Sequence, residues 1–304
     1  TMELLDGRVA IVTGAGRGLG RVEALELAQH GAAVVVNDLG TTLLGTGQDD
    51  SPAEDVVAEI TAMGGRAVAH FGDVADWEQS ADLVRTAVDE FGGLDILVNN
   101  AGFIRDSMLQ KMEESEFDDV VRVHLKGHFC TIRHTLAHWR DRWKAGGGEP
   151  LGGRLISTSS EAALIGALGS GNYSAAKAGI TALTISAARE VLRFGCTANV
   201  LVPRARTRMI MGGPSATLFE QPDHGFDTFA PEHVAPLVAW LASPLAERVS
   251  GQVLQVWGGE VTVYERPRRA FEATHEGDWT LEALEDHLGP FFADQEPVVD
   301  GFGL

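Results

Sequence analysis

In the stretch GNYSAAKAG, residues 171–179, Tyr173 and Lys177 stand four positions apart among alanine, serine and glycine. At that spacing both side chains leave one face of a helix, one turn apart. A free phenol titrates near 10, and a cation held beside it favours the phenolate, lowering the value by roughly 1–3 units. Lys177 is the expected cation, and Tyr173 the group it would turn into a working base. The small neighbours Ser174, Ala175, Ala176, Ala178 and Gly179 leave room for a flat cofactor ring and a substrate against the helix. Ser160 closes the run STSS at 157–160, and its hydroxyl is suited to donate to a substrate oxygen.

A second constellation lies upstream. TGAGRGLG at 13–20 carries Gly14, Gly18 and Gly20 in the pattern G-x-x-x-G-x-G, after a strand-like run and before the helical run RVEALELAQH. Glycines allow a tight turn and close backbone approach, and a helix N-terminus offers unpaired N–H groups and partial positive charge to a pyrophosphate. Asp38 ends the next strand-like run, twenty residues after Gly18, where a carboxylate accepts from the adenosine ribose. It also repels a 2′-phosphate, which favours NAD over NADP. Two features pull the other way: Asp38 could instead cap the turn with Leu39 and Gly40, and Arg17 inside the glycine loop could contact a 2′-phosphate.

The elements that must position these groups alternate in type. Strand-like runs occur at 8–13, 32–37, 66–71, 94–99, 154–159, 197–202 and 252–257, separated by helix-length segments. That alternation predicts an α/β fold: a single doubly wound Rossmann-type domain with a seven-stranded parallel sheet over residues 1–259. Ligands of such sheets gather beyond the carboxyl ends of the strands, where the glycine loop, Asp38 and Ser160 fall. Residues 41–51 and 145–153 read as loops. The long segment 203–229 reads as a substrate lid, and residues 260–304 as a C-terminal extension without clear strand periodicity.

Composition narrows the partners. With 44% hydrophobic and 22% charged residues and a net charge of −19, the 304-residue chain suits neither nucleic-acid phosphates nor an anionic membrane surface. No apolar run approaches the roughly 20 residues needed to span a bilayer. Cys130 and Cys196 form no CxxC pair and no zinc-ligand spacing, so no metal is expected and a reducing cytoplasm fits.

The combination of TGAGRGLG, NNAG at 99–102, Ser160 and YSAAK at 173–177 resembles the short-chain dehydrogenase/reductase family over residues 7 to about 259. The resemblance implies that Tyr173 is the acid/base, that Lys177 tunes it and holds the nicotinamide ribose, and that Ser160 stabilises the substrate oxygen. It implies further that Asp73 and Val74 in FGDV meet the adenine, and that Asn99, Ala101 and Gly102 border the cofactor beside Gly14, Arg17, Gly18, Leu19, Gly20 and Asp38. Thr207 is expected to bond the carboxamide. Two positions depart from the family pattern: His124 stands where an Asn joins a proton relay, and Pro203-Arg204 replaces Pro-Gly. His124 can donate and accept, so a relay role is carried to it as an expectation.

VVVNDLG, NNAGFIRD, RVHLKGHF, NYSAAKAG, RTRM and APEHVAPLVAWL are similar to the (3R)-hydroxyacyl-CoA dehydrogenase unit of peroxisomal multifunctional enzymes and its stand-alone bacterial relatives. This implies NAD-dependent interconversion of a 3-hydroxyacyl-CoA and a 3-ketoacyl-CoA by a homodimer or homotetramer. The alternatives are a hydroxysteroid or other secondary-alcohol dehydrogenase, and a dinucleotide-binding protein without turnover. Arg204, Arg206 and Arg208 are open to two readings, CoA-phosphate contacts or partners of surface carboxylates. Met209, Ile210, Met211, Leu218, Phe219 and Phe226 offer an apolar wall for an acyl chain or steroid, or equally ordinary core or a subunit contact.

Overall fold

The computed structural model describes residues 3–42, 45–47, 49–212, 216–265 and 267–295. Parts of three expected segments lie outside them: 43, 44 and 48 of the 41–51 loop, 213–215 of the lid, and 266 and 296–304 of the extension. The chain divides into two compact units, Thr1–Tyr264 and Glu265–Leu304.

The first unit is built on one sheet. Its strands are β1 (Val9–Thr13), β2 (Ala33–Asn37), β3 (Arg66–His70), β4 (Ile96–Asn99), β5 (Arg154–Thr158), β6 (Thr197–Pro203), β7 (Val253–Trp257) and β8 (Glu260–Tyr264), in the order β3-β2-β1-β4-β5-β6-β7-β8. The first seven pair in parallel. The expected count of seven needs correction to eight, because β8 adds antiparallel to β7 with Trp257 opposite Glu260. The cause is a two-residue Gly258-Gly259 turn, with Gly258 at φ +51°, that folds EVTVY back as a hairpin. The sheet is therefore parallel except at one edge.

Helices cover both faces, as parallel strands buried on two sides require. On one face, α1 (Gly18–Gln29), α2 (Ser51–Ala62) and α9 (Ala235–Ala242) pack against alternate strand residues such as Val12, Val34, Val98 and Ile156. On the other, α3 (Trp77–Phe91), α5 (Gly127–Ala145) and α7 (Gly171–Val191) pack against Ile11, Val35, Leu97 and Leu155. The two-residue period of each strand thus feeds two cores in turn. Short helices α4 (Glu114–Val121), α6 (Ala162–Ile165) and α8 (Arg208–Met211) lie at the carboxyl end of the sheet. Between α4 and α5 the backbone widens into a π-turn, Arg122–Lys126, which brings His124 inward.

The second unit holds α10 (Leu281–Phe292), capped by the Thr280 hydroxyl, which accepts from Ala283 N–H at 3.1 Å. Phe271 stacks on Phe291 at 4.6 Å, and His275, Trp279 and His287 meet pairwise within 5.0–5.6 Å. No residue of α10 is buried.

Candidate active site

The glycine loop turns the chain from β1 into α1. Gly14 and Gly18 take left-handed φ values of +64° and +54°, which only glycine adopts without strain. A Cβ on Gly14 would stand 2.7 Å from the Ala101 Cα, and one on Gly20 would stand 2.3 Å from the Gly14 carbonyl. Gly20 therefore serves close packing and does not line the cleft. Thr13 Oγ1 accepts from the N–H groups of Asn100 and Ala101 at 3.0 and 3.1 Å, which fastens the NNAG turn beside the loop.

A cleft opens over this turn. Gly14, Arg17, Gly18 and Leu19 line its floor, Asp38, Asp73 and Val74 one wall, and Ala101, Gly102 and Thr207 the other. Asn99 points away: its Oδ1 accepts from the Thr131 hydroxyl at 2.7 Å inside the core. Thr41, Asn100, Phe103 and Arg122, which the motifs do not assign, also line the cleft, together with the lid residues Arg208 and Met209.

The cleft fits a dinucleotide by its own features. No side chain caps α1, its first turn holds no acidic residue, and a Cβ at Gly18 would meet nothing within 4 Å. Its N–H groups and partial positive charge are thus open to a pyrophosphate. Asp38 lines the wall while its oxygens accept from Gly16 N–H at 2.8 Å and Gly40 N–H at 2.6 Å. Both readings of Asp38 therefore describe one side chain, which caps its own turn and faces the cleft. Arg17 is held 3.6 Å from Asp49 at the surface. Asp73 accepts from Arg122 at 2.8 Å and from Ala75 N–H at 2.8 Å.

Ser160, Tyr173 and Lys177 meet where β5 ends and α7 begins. Ser159 Oγ donates to the Lys177 carbonyl at 3.0 Å and pairs with the Thr181 hydroxyl at 2.9 Å, which sets α7 against the strand. Lys177 is buried, and its Nζ donates to the Thr158 carbonyl at 2.6 Å while lying 5.5 Å from the centroid of the Tyr173 ring. The Ser160 hydroxyl accepts from Ala162 N–H at 3.2 Å and lies close enough to the Tyr173 phenol to favour its ionised form. The expectation of a lowered phenol pKa is corrected here. Burial pushes Tyr173 up to about 12 against the smaller opposing effect of Ser160, with Asp106 adding a further upward push. The same dry surroundings push Lys177 down to about 7, so above that pH the amine is neutral and no cation stands beside the phenol.

His124 lies under this pair. Its ring meets Tyr173 edge to face at 5.2 Å, and its Nε2 is 2.7 Å from the Phe103 carbonyl. A Cβ on Gly102 would fall 2.0 Å from the imidazole, so the ring fits only because residue 102 is glycine. Burial first, and then the Lys177 charge, hold His124 well below its ordinary value. It is a neutral imidazole engaged with the backbone at one nitrogen, and its Nδ1 is buried without a partner.

The lid arginines separate. Arg204 is buried and meets Glu161 through two hydrogen bonds of 2.7 and 2.6 Å, with its guanidinium over the Trp257 ring at 5.0 Å. This ion pair accounts for arginine where the family has glycine. Arg206 pairs with Asp227. The phosphate-contact reading is thus overturned for both, and Arg208, exposed and lining the cleft, keeps it. Phe219 is buried against Phe229 at 4.5 Å and belongs to the core, whereas Met211, Leu218 and Phe226 stay exposed. Among the described residues no cluster of His, Cys, Asp or Glu could hold a metal ion, and no helix is long and apolar enough to cross a membrane.

A doubly wound sheet, a glycine-lined cleft suited to a dinucleotide and a Ser-Tyr-Lys cluster joined through His124 to the cleft-lining Phe103 define a nicotinamide-dependent dehydrogenase. The chain belongs to the short chain dehydrogenase family, whose profile matches residues 8–211. It is 47% identical over 302 residues to the hydroxyacyl-CoA dehydrogenase ChsB1 of Mycobacterium tuberculosis, covering 96% of this chain and 91% of that one. It is 39% identical over 284 residues to the mouse peroxisomal multifunctional enzyme type 2, covering 93% of this chain but 36% of that longer protein. The crystal structure of a short chain dehydrogenase from Mycobacterium avium superposes with a TM-score of 0.86 at 46% identity, covering 99% of this chain and all of that one.

Proposed function

We propose that this protein oxidises a 3-hydroxyacyl-CoA to the 3-ketoacyl-CoA, or runs the reverse reaction, with NAD as the cofactor. The observation that carries the chemistry is the Tyr173 phenol beside the Ser160 hydroxyl, one helical turn from the buried Lys177. A nicotinamide held in the cleft would supply the hydride acceptor for oxidation and the donor for reduction. Ser160 donates to the substrate oxygen and orients it. Tyr173 takes the hydroxyl proton during oxidation and gives it back during reduction, so atoms and charge balance in both directions. His124 holds the Phe103 backbone at the cleft wall.

The acyl-CoA assignment is supported by ChsB1 and by the peroxisomal enzyme, whose shared region spans nearly all of this chain. NAD is supported by Asp38 on the cleft wall, since a carboxylate there opposes a 2′-phosphate. Arg208, exposed and among the cleft-lining residues, is our candidate to attract a phosphate. We read the protein as a cytoplasmic homo-oligomer, in keeping with its two buried free thiols and its family.

The test is a spectrophotometric assay for NADH formation with 3-hydroxyacyl-CoAs of several chain lengths, run beside hydroxysteroids. Turnover is expected with the thioesters, and Tyr173→Phe is expected to abolish it while NADH binding persists. Turnover confined to steroids would transfer the assignment to the second substrate class, and normal turnover by Tyr173→Phe would remove the mechanism.

A further inference from the structure

Tyr173 sits in the first turn of the longest helix of the first unit. It is the third residue of α7, in a first turn whose N–H groups have no intrahelical acceptor. The N-cap residue, Ser170, makes no side-chain cap bond to the helix, since its hydroxyl donates instead to Asp106 at 2.6 Å. A proton-transferring group on a fraying turn would lose its geometry, and a displacement near 1 Å costs on the order of 100-fold in rate.

Asn172 supplies the missing anchor. It is fully buried, and both of its polar atoms are engaged. Nδ2 donates to the Arg105 carbonyl at 3.0 Å and to the Glu116 carbonyl at 2.9 Å, and Oδ1 accepts the Tyr173 N–H at 2.8 Å. One amide thus joins three pieces of chain: the segment after β4, helix α4, and the backbone of the tyrosine itself. The segment it grips is fixed in its own right. Ser107 N–H donates to the Gly169 carbonyl at 2.8 Å, and the Arg105 guanidinium pairs with Asp119 of α4 at 2.8 Å and lies 5.6 Å from the centroid of the Phe103 ring. Phe103 in turn lines the dinucleotide cleft and bonds His124. A continuous run of contacts therefore leads from the cofactor wall through Arg105 and Asn172 to the backbone of Tyr173.

We propose that Asn172 is a positioning residue, which holds Tyr173 in register with Ser160 and the cleft by tying the first turn of α7 to the Arg105 and Glu116 carbonyls. The inference rests on the reading of Tyr173 as the proton carrier. Serine at 172 is too short to reach both carbonyls. Aspartate keeps the volume and the acceptor for Tyr173 N–H but turns both donors into an acceptor facing two carbonyls.

The experiment compares Asn172→Ser and Asn172→Asp with the parent enzyme by steady-state kinetics, NADH-binding fluorescence and NMR of ring-¹³C-labelled tyrosine. The chain holds only two tyrosines, Tyr173 and Tyr264, and Tyr264→Phe assigns the signals. The expected result is a fall in kcat of about 100-fold, with KM and Kd for the dinucleotide within about two-fold of the parent, and a shifted or broadened Tyr173 resonance. A kcat within three-fold of the parent, or an unmoved resonance, overturns the proposal. So does loss of NADH binding and folding in both variants, which makes Asn172 a general support of the fold. Normal turnover by Tyr173→Phe sinks the functional reading instead, and the two failures are read from different variants.

Discussion

The Nζ of Lys177 lies 5.5 Å from the centroid of the Tyr173 ring and directs a hydrogen bond to the Thr158 carbonyl at 2.6 Å. Both groups feel the same dry surroundings, and burial drives them in opposite directions, the phenol to about 12 and the amine to about 7. Alcohol oxidation uses the phenolate, whose fraction grows tenfold per pH unit below the phenol pKa. Oxidation kcat is therefore expected to climb about tenfold per unit from pH 8 to 10. Ketone reduction uses the phenol, fully present in that range, and is expected to stay flat. Rate profiles in both directions check this, and an oxidation plateau below pH 9 contradicts the raised phenol.

Arg204 and Glu161 are both largely buried, and Gln255 also donates to Glu161, at 2.6 Å. Removing one partner of such a pair leaves a buried charge without its counter-ion, which typically costs about 3–5 kcal/mol. Glu161→Gln or Arg204→Met is expected to lower the stability by that amount in chemical denaturation, and the double variant to lose less than the two singles combined. Additive losses would show that the two side chains do not act as a pair.

Much of this site was legible because it is local. The glycine loop, the Tyr173–Lys177 spacing and the alternation of strands with helices each sit within one short stretch, and backbone physics acts on them directly. What escaped depends on contacts between distant stretches. Arg122 reaches Asp73 across 49 positions, and Asn172 binds carbonyls 67 and 56 positions away. Glu161 explains Arg204 only once β5 and β6 lie side by side. The pKa of Tyr173 was misjudged because spacing shows a neighbouring amine and not the burial that neutralises it. Strand β8 was missed despite a visible signal: QVLQVW-GG-EVTVY is two β-rich runs around a Gly-Gly turn.

Glu23 on α1 is buried, its carboxyl oxygens have no hydrogen-bond partner, and burial raises it to about 8. A carboxyl raised in the folded state holds its proton where the unfolded chain has released it. Stability is then full below the unfolded value near 4.5 and falls as pH rises towards 8. At about 1.4 kcal/mol per unit this span amounts to roughly 4–5 kcal/mol. Between pH 5 and 7 the slope is expected to be visible in denaturant titrations, while Glu23→Met should flatten it and be more stable at pH 8. An unchanged slope in Glu23→Met would place the pH dependence elsewhere.

Asp38 serves two tasks that a substitution separates. Its oxygens hold Gly16 N–H and Gly40 N–H, and its charge faces the cleft between Arg17 and the lid residue Arg208. Partial burial first, and then the Arg17 charge, lower the Arg208 pKa against the smaller opposing attraction of Asp38. Asp38→Ala removes the carboxylate that lines the cleft beside Arg17 and Arg208, so the ratio of kcat/KM for NADP to that for NAD is expected to rise at least tenfold, about 1.4 kcal/mol. The loss of the two backbone bonds lowers the absolute values for both cofactors. Asp38→Asn keeps an acceptor for those bonds while removing the charge, so it should show the same change in ratio with a smaller loss of rate. A ratio that stays at the parent value in both variants would mean that Asp38 shapes the loop and takes no part in choosing the cofactor.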